Sequence, residues 1–145
     1  MLKIIIEEPQ NGEEEQIIIR CREVGPELLR IISLLKAQEA LVAYDGNEIH
    51  RIIPSGIYYI EVVENKTFLY GKEKVYESKQ KLYELEESLA NTEFLRVSKS
   101  VILNLSRIKS LSPALSGRFE AFLDNGEKII ISRQYMGDLK KRLGL

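Results

Sequence analysis

What most constrains this chain is its punctuation beyond residue 56. "IYYIEVV", "TFLYG", "KVYES", "FLRV", "RIKSL", "RFEAFL" and "EKIIIS" follow one another as short β-prone runs joined by tight polar links. Each is built from the β-branched, aromatic and aliphatic residues that suit a half-buried pleated surface. "DNG" at 124–126 is the strongest hairpin signal, because a tight turn favours Asn-Gly. One helix interrupts the series. In "KQKLYELEESL", Leu82, Leu85 and Leu89 recur on one face, and Ser78 is a candidate N-cap. The tail "SRQYMGDLKKRLGL" predicts a second short helix. Met136, Leu139 and Leu143 share its apolar side, and Lys140, Lys141 and Arg142 close its last turn, where they suit the helix dipole.

Ahead of Pro54-Ser55-Gly56, the best candidate boundary, the pattern differs. Pro9 and Asn11-Gly12 mark a turn between "KIIIEE" and "EQIIIRCRE", which predicts a hairpin over residues 2–8 and 15–23. Pro26 opens a helix whose Leu28, Ile31, Ile32 and Leu35 are spaced for one buried face. Asp45-Gly46 predicts a second hairpin between "ALVAY" and "EIHRII". Residues 1–52 thus read as a small acidic β-β-α-β-β unit, suited to dimerisation or partner binding.

Several function classes find little support. The 145 residues suit one domain, or one with a smaller companion. No apolar run approaches the length of a membrane helix, and the N-terminus lacks a signal-peptide pattern. With the single Cys21 no internal disulfide forms, so a reduced, cytoplasmic protein is expected, and Cys21 reads as a small strand residue. His50 is the only His, and a lone His in a strand-like run is more often structural than catalytic. There is no Gly-rich phosphate loop and no metal-ligand spacing, so neither an enzyme nor a cofactor is expected.

Charge is distributed unevenly. Residues 1–95 hold 11 Lys and Arg against 18 Asp and Glu, whereas residues 96–145 hold 10 against 4. A basic final third is the electrostatic footprint of a polyanion-binding surface. Within it, "FLRVSKSVILNL" raises a specific question, because Ser98, Lys99 and Ser100 break an apolar run. Val97 most simply points to the core, so the strand ends near Ser98 and Lys99 falls in the connection that follows. Asn104 then interrupts "VILNL", and its amide can close a local turn. A similar arrangement ends "KIIIS", where Ser132 can cap the terminal helix and Arg133 and Gln134 lie at its exposed start. Backbone N–H donors, a guanidinium fork and an amide gathered there are groups that phosphates and base edges accept.

Together these pieces resemble the LytTR family of bacterial DNA-binding domains. The first matching block is Phe94-Leu95-Arg96-Val97, then Ser98-Lys99-Ser100, then Val101 to Leu105 and Ile108. The second is Asn125-Gly126, Ile129 to Ile131, Ser132-Arg133-Gln134-Tyr135 and Leu139-Lys140. "IYYIEVVENKTFLYG" is similar to the family's opening strands. The resemblance spans residues 53–145 and implies an α+β, mostly β fold: an elongated antiparallel domain with a short C-terminal helix, whose loops enter successive major grooves. It also implies three DNA-contacting places, namely the turn at Asn65, Lys66 and Thr67, the triplet Ser98, Lys99 and Ser100, and Ser132, Arg133 and Gln134. Arg133 is the candidate reader of guanine, and Lys99 a second reader or a phosphate ligand. Ser100, Ser132, Tyr135, and Arg118 or Lys140 would hold the DNA backbone. Phe94, Val97, Asn104, Ile108 and Leu139 are assigned to the fold.

The implied function is a sequence-specific transcriptional regulator acting on double-stranded DNA, with two copies on a repeated site. Position 98 is often His in the family and is Ser here, so base preference is expected to differ. Thr67 is small where members present a longer donor. Residues 1–52 are too short for a receiver domain and carry no acidic triad, so phosphorylation control is not expected. Some systems of this family pair a short regulator with a membrane-bound protein that restrains it, and the acidic unit is the natural contact. The rival reading is a protein-interaction or sensor module that keeps the fold without specific DNA binding.

Overall fold

The computed structural model describes residues 3–36 and 39–145. Leu2, the first residue of the predicted 2–8 strand, lies outside them. The body is two antiparallel sheets, and the fold class is the α+β, mostly β one read from the sequence.

The seven-stranded sheet is built from β1 (Leu41–Asp45), β2 (Glu48–Ile52), β3 (Ile57–Val63), β4 (Lys66–Gly71), β5 (Val75–Ser78), β6 (Phe94–Arg96) and β7 (Val101–Asn104), in the order β2-β1-β5-β4-β3-β7-β6. The three-stranded sheet is β8 (Ile108–Pro113), β9 (Phe119–Leu123) and β10 (Lys128–Ile131), in the order β10-β9-β8. Two of the three predicted glycine hairpins form. Gly46 takes φ +60 between β1 and β2, and Gly126 takes φ +90 between β9 and β10, where Asn125 Oδ1 accepts from Glu127 N at 3.0 Å. Tyr44 pairs with Glu77, so β1 and β2 continue the sheet begun by the later strands.

Two apolar clusters hold these layers. One lies between the sheets and includes Tyr58, Tyr59, Val97, Leu103, Leu123, Ile131 and Leu139. Adjacent Tyr58 and Tyr59 both enter it because the β3–β4 register shifts between Ile57 and Tyr59. Such an irregularity breaks the strict alternation of faces. Tyr59 stacks on Tyr70 with ring centroids 4.2 Å apart, and burial raises the Tyr59 hydroxyl pKa, with Glu127 adding to the effect. The second cluster lies on the other face, where α2 (Leu82–Ser88) buries Leu82 and Leu85 against Ile60, Leu69 and Ile102. The C-terminal helix α3 (Met136–Leu143) buries Met136 and Leu139 and stops at Gly144, which takes φ +73. That left-handed C-terminal residue costs glycine little.

Four local expectations are corrected. Residues 3–23 contain a turn at Asn11-Gly12 but no strand, and Cys21 is exposed there rather than in a strand. In α1 (Pro26–Lys36) the expected buried face is only part-covered: Leu28 and Ile32 are half-buried, while Ile31 and Leu35 are exposed. Ser78 does not cap α2. It is buried, and its Oγ accepts from Gln80 N at 3.1 Å, while Lys81 occupies the cap position and Glu84 accepts from Lys81 N. Strand β6 ends at Arg96, two residues earlier than expected.

Candidate nucleic-acid interface

Three backbone hydrogen bonds bring the polar clusters together. Val97 N donates to Val101 O at 3.0 Å, which closes the 97–101 segment into a tight loop. Ser132 N donates to Val97 O at 2.9 Å, tying the end of β10 to that loop. Val62 N donates to Ser100 O at 2.9 Å, so the same loop is stitched to the end of β3, beside the β3–β4 turn. Residues far apart in sequence therefore share one end of the body. Ser98, Lys99, Ser100, Ser132, Arg133 and Gln134 line one open depression of about 750 Å³.

The loop is held from below. Val97 is fully buried, which leaves the next three residues above the core. Ser98 Oγ accepts from Ser100 N at 3.2 Å. Arg96 supplies the main tie: Nε donates to Ser98 O at 2.7 Å, Nη2 to Lys99 O, and Nη1 to Glu86 Oε1 at 3.1 Å on α2. One guanidinium fork thus fixes two consecutive carbonyls and anchors them to a helix, a geometry a single ammonium cannot reproduce. Arg96 was legible only as part of a motif. The signal that could have exposed its role is a base two residues before a polar triplet, on a strand with an apolar neighbour at each side.

Lys99, Arg133 and Gln134 are exposed, whereas Ser98, Ser100, Ser132 and Tyr135 are half-buried. Ser132 does not cap a helix with its hydroxyl. Its carbonyl accepts from Tyr135 N at 3.0 Å in a 3₁₀ turn, Arg133–Tyr135, that leads into α3. The stem of Arg133 passes over Gly117, where an added Cβ would sit 3.1 Å from its Cδ. Gly117 takes φ +74, so the bare backbone is needed twice. Arg118 follows it, exposed, and Lys140 is exposed on α3.

At the β3–β4 turn, Glu64 and Asn65 adopt positive φ, 51 and 64, as a two-residue hairpin turn requires. Asn65 and Lys66 are exposed. Thr67 is not presented by the turn. It is 5% exposed inside β4, opposite Ser78, so its side chain belongs to the sheet. The residues assigned to the fold lie where expected. Phe94, Val97 and Leu139 are buried and Ile108 is half-buried. Asn104 is 1% exposed, donates to Ile57 O at 2.8 Å and accepts from Ser106 N at 3.1 Å.

Among the described residues one group has metal-ligand chemistry, Asp45, Glu48 and His50 on the β1–β2 hairpin. Lys74 Nζ already lies 2.8 Å from Asp45, whose pKa its hydrogen bond and charge lower. His50 rests against the Tyr76 ring. A resident ammonium there competes with any cation.

Known proteins resemble this chain over most of its length. Residues 47–144 match the family described as the LytTr DNA-binding domain. The sensory transduction protein LytT of Enterococcus faecalis is 30% identical over 107 residues, which is 74% of this chain and 44% of LytT. The chain therefore spans less than half of that relative. An uncharacterized HTH-type transcriptional regulator of Staphylococcus aureus is 28% identical over 148 residues, covering 100% of both chains. The solved LytTr DNA-binding domain of a Bacillus cereus protein superposes with a TM-score of 0.70 at 27% identity, over 74% of this chain and 99% of that one.

Proposed function

This chain belongs to the LytTr DNA-binding domain family, and from that premise we propose that it is a sequence-specific transcriptional regulator that inserts its clustered loops into successive major grooves. The family is a DNA-binding domain rather than an enzyme class. The observation that carries the reading is the joining of Ser98–Ser100 and Ser132–Gln134 around one depression, over a buried support.

In this reading Arg133 sets its fork against guanine O6 and N7, and Lys99 reads guanine or grips phosphate. Gln134 can bridge adenine N6 and N7. Ser98, Ser100, Ser132 and Tyr135 supply hydroxyls to the phosphate backbone, which fix register without reading sequence. Lys66 and Lys140 add charge at the flanks. Thr67, buried, supports the turn that presents Asn65 and Lys66. The regulator acts on cytoplasmic double-stranded DNA with two copies on a repeated site. Residues 1–52 serve self-association or contact with a partner, a membrane-bound regulatory protein among the candidates.

Selection from a randomised duplex pool at two salt concentrations tests this. Wild type should enrich one motif, and Arg133→Ala should lose about 1–3 kcal/mol on it and discriminate less at one position. Salt-dependent binding without enrichment would leave only a basic surface. No binding at all would favour the protein-interaction reading.

A further inference from the structure

Residues 3–22 hold a concentration of large aliphatic side chains in solvent: Ile4 is 87% exposed, Ile6 93%, Ile17 71% and Ile18 62%. The chain reverses at residues 10–13, where Glu13 N donates to Gln10 O at 3.0 Å. Continued from that turn, a ladder would set Glu8 against Glu15 and Lys3 against Arg20. Like charges directly opposite oppose strand pairing. Among the described residues no ladder joins the two arms, and a cleft of about 760 Å³ lies between them.

The second arm has a different partner in its own sequence. "EEEQIIIRCR" carries acid before its isoleucines and base after them. Laid antiparallel on a second copy and centred on Ile18, it sets Ile18 against Ile18, Ile17 against Ile19, and Glu14 against Arg22. Gln16 then faces Arg20 and Glu15 faces Cys21, so Glu14 and Arg22 form the one opposite-charge pair, made twice, in the orientation a two-fold axis imposes. The first arm makes the same pattern over a shorter span, with Lys3 against Glu7 about Ile5.

We propose that residues 14–22 of two copies pair antiparallel about Ile18, and that this strand pair is the homodimer interface. The inference takes up the two-copy reading above and names its surface, but it is tested without DNA.

Sedimentation velocity of the 145-residue chain should show a dimer. Glu14→Arg and Arg22→Glu should each raise the dimer dissociation constant at least tenfold, because each places like charges together twice across the axis. Mixing the two single variants, or combining both changes in one chain, should restore the dimer. Unchanged circular dichroism of the single variants would exclude misfolding. Ile18→Cys in a Cys21→Ser background should give a disulfide-linked dimer on mild oxidation, since opposed antiparallel residues lie within disulfide reach. A wild-type monomer at every soluble concentration, or a dimer indifferent to both reversals, would overturn the proposal. Motif enrichment by a monomer would sink this interface and spare the DNA reading. A charge-sensitive dimer that selects no motif would do the reverse.

Discussion

The depression around Lys99 and Arg133 and the arms at residues 3–22 both interrupt an ordinary surface, in opposite ways. The first exposes polar groups over a closed core: Val97, Ile131 and Leu139 are each 0% exposed beneath it. The second exposes apolar groups with no described element packed beneath them, and no strand ladder links the arms. Polar donors fixed on a rigid base are organised before any ligand arrives, so binding costs little ordering. Aliphatic side chains without a base are stabilised only by association. The contrast separates a surface suited to reading, as proposed, from one suited to joining.

The largest effect that can break this contrast is in the core. Leu139→Ala removes a fully buried side chain under the depression and should cost about 2–5 kcal/mol of unfolding free energy. Ile18→Ala, at an exposed position, should change the stability of a dilute monomer by about 0.5 kcal/mol or less. Urea denaturation followed by circular dichroism measures both. Equal losses would mean that the arm is part of the body's core after all.

How much of this was legible in the sequence follows from how local each signal is. The Asp45-Gly46 and Asn125-Gly126 turns, the Asn104 turn and the burial of Met136 and Leu139 in α3 were readable, because each is set within a few residues, whereas Leu143, read on the same side, is exposed. The continuation of the sheet through Tyr44 and Glu77 was not, since nothing near either residue names the other. Thr67 resembled a contact because it adjoins a turn, yet the face it takes is fixed by the register with Ser78. Ser132 had the composition of a cap, but the 3₁₀ turn uses its carbonyl instead. Residues 3–23 failed in the most instructive way. Their isoleucine runs and turn are those of a hairpin, while charges that would face each other oppose pairing within one chain.

Arg96 gives the next test, smaller than the core change. It joins Ser98 O, Lys99 O and Glu86, so Arg96→Met should free the loop without touching its presented side chains. Affinity for the selected duplex should fall about tenfold, or about 1.4 kcal/mol, with the preferred sequence retained. Arg96→Lys should rescue little, because one ammonium cannot span three acceptors. Since Met keeps the aliphatic stem and no core residue changes, the melting temperature should move by only a few degrees. Unchanged affinity would mean the loop is held by its own backbone turn. Self-association, read by sedimentation, should not respond.

Lys140 yields the smallest effect and the cleanest separation of the two surfaces. It is exposed on α3, outside the depression, where it can contribute charge but no base reading. Lys140→Ala should weaken all duplexes alike and lower the slope of log affinity against log salt by about 1, because one fewer counterion is released. The proposed dimer should respond to salt for another reason, the screening of Glu14 against Arg22 across the axis. Its salt dependence should therefore be unchanged by Lys140→Ala and altered by Arg22→Glu. Measuring both slopes for both variants gives a two-by-two result. If Lys140→Ala changed only one duplex, Lys140 would be a reader. If it changed the dimer, the basic C-terminal helix and the arms would be parts of one interface, and the division between reading and joining would fail.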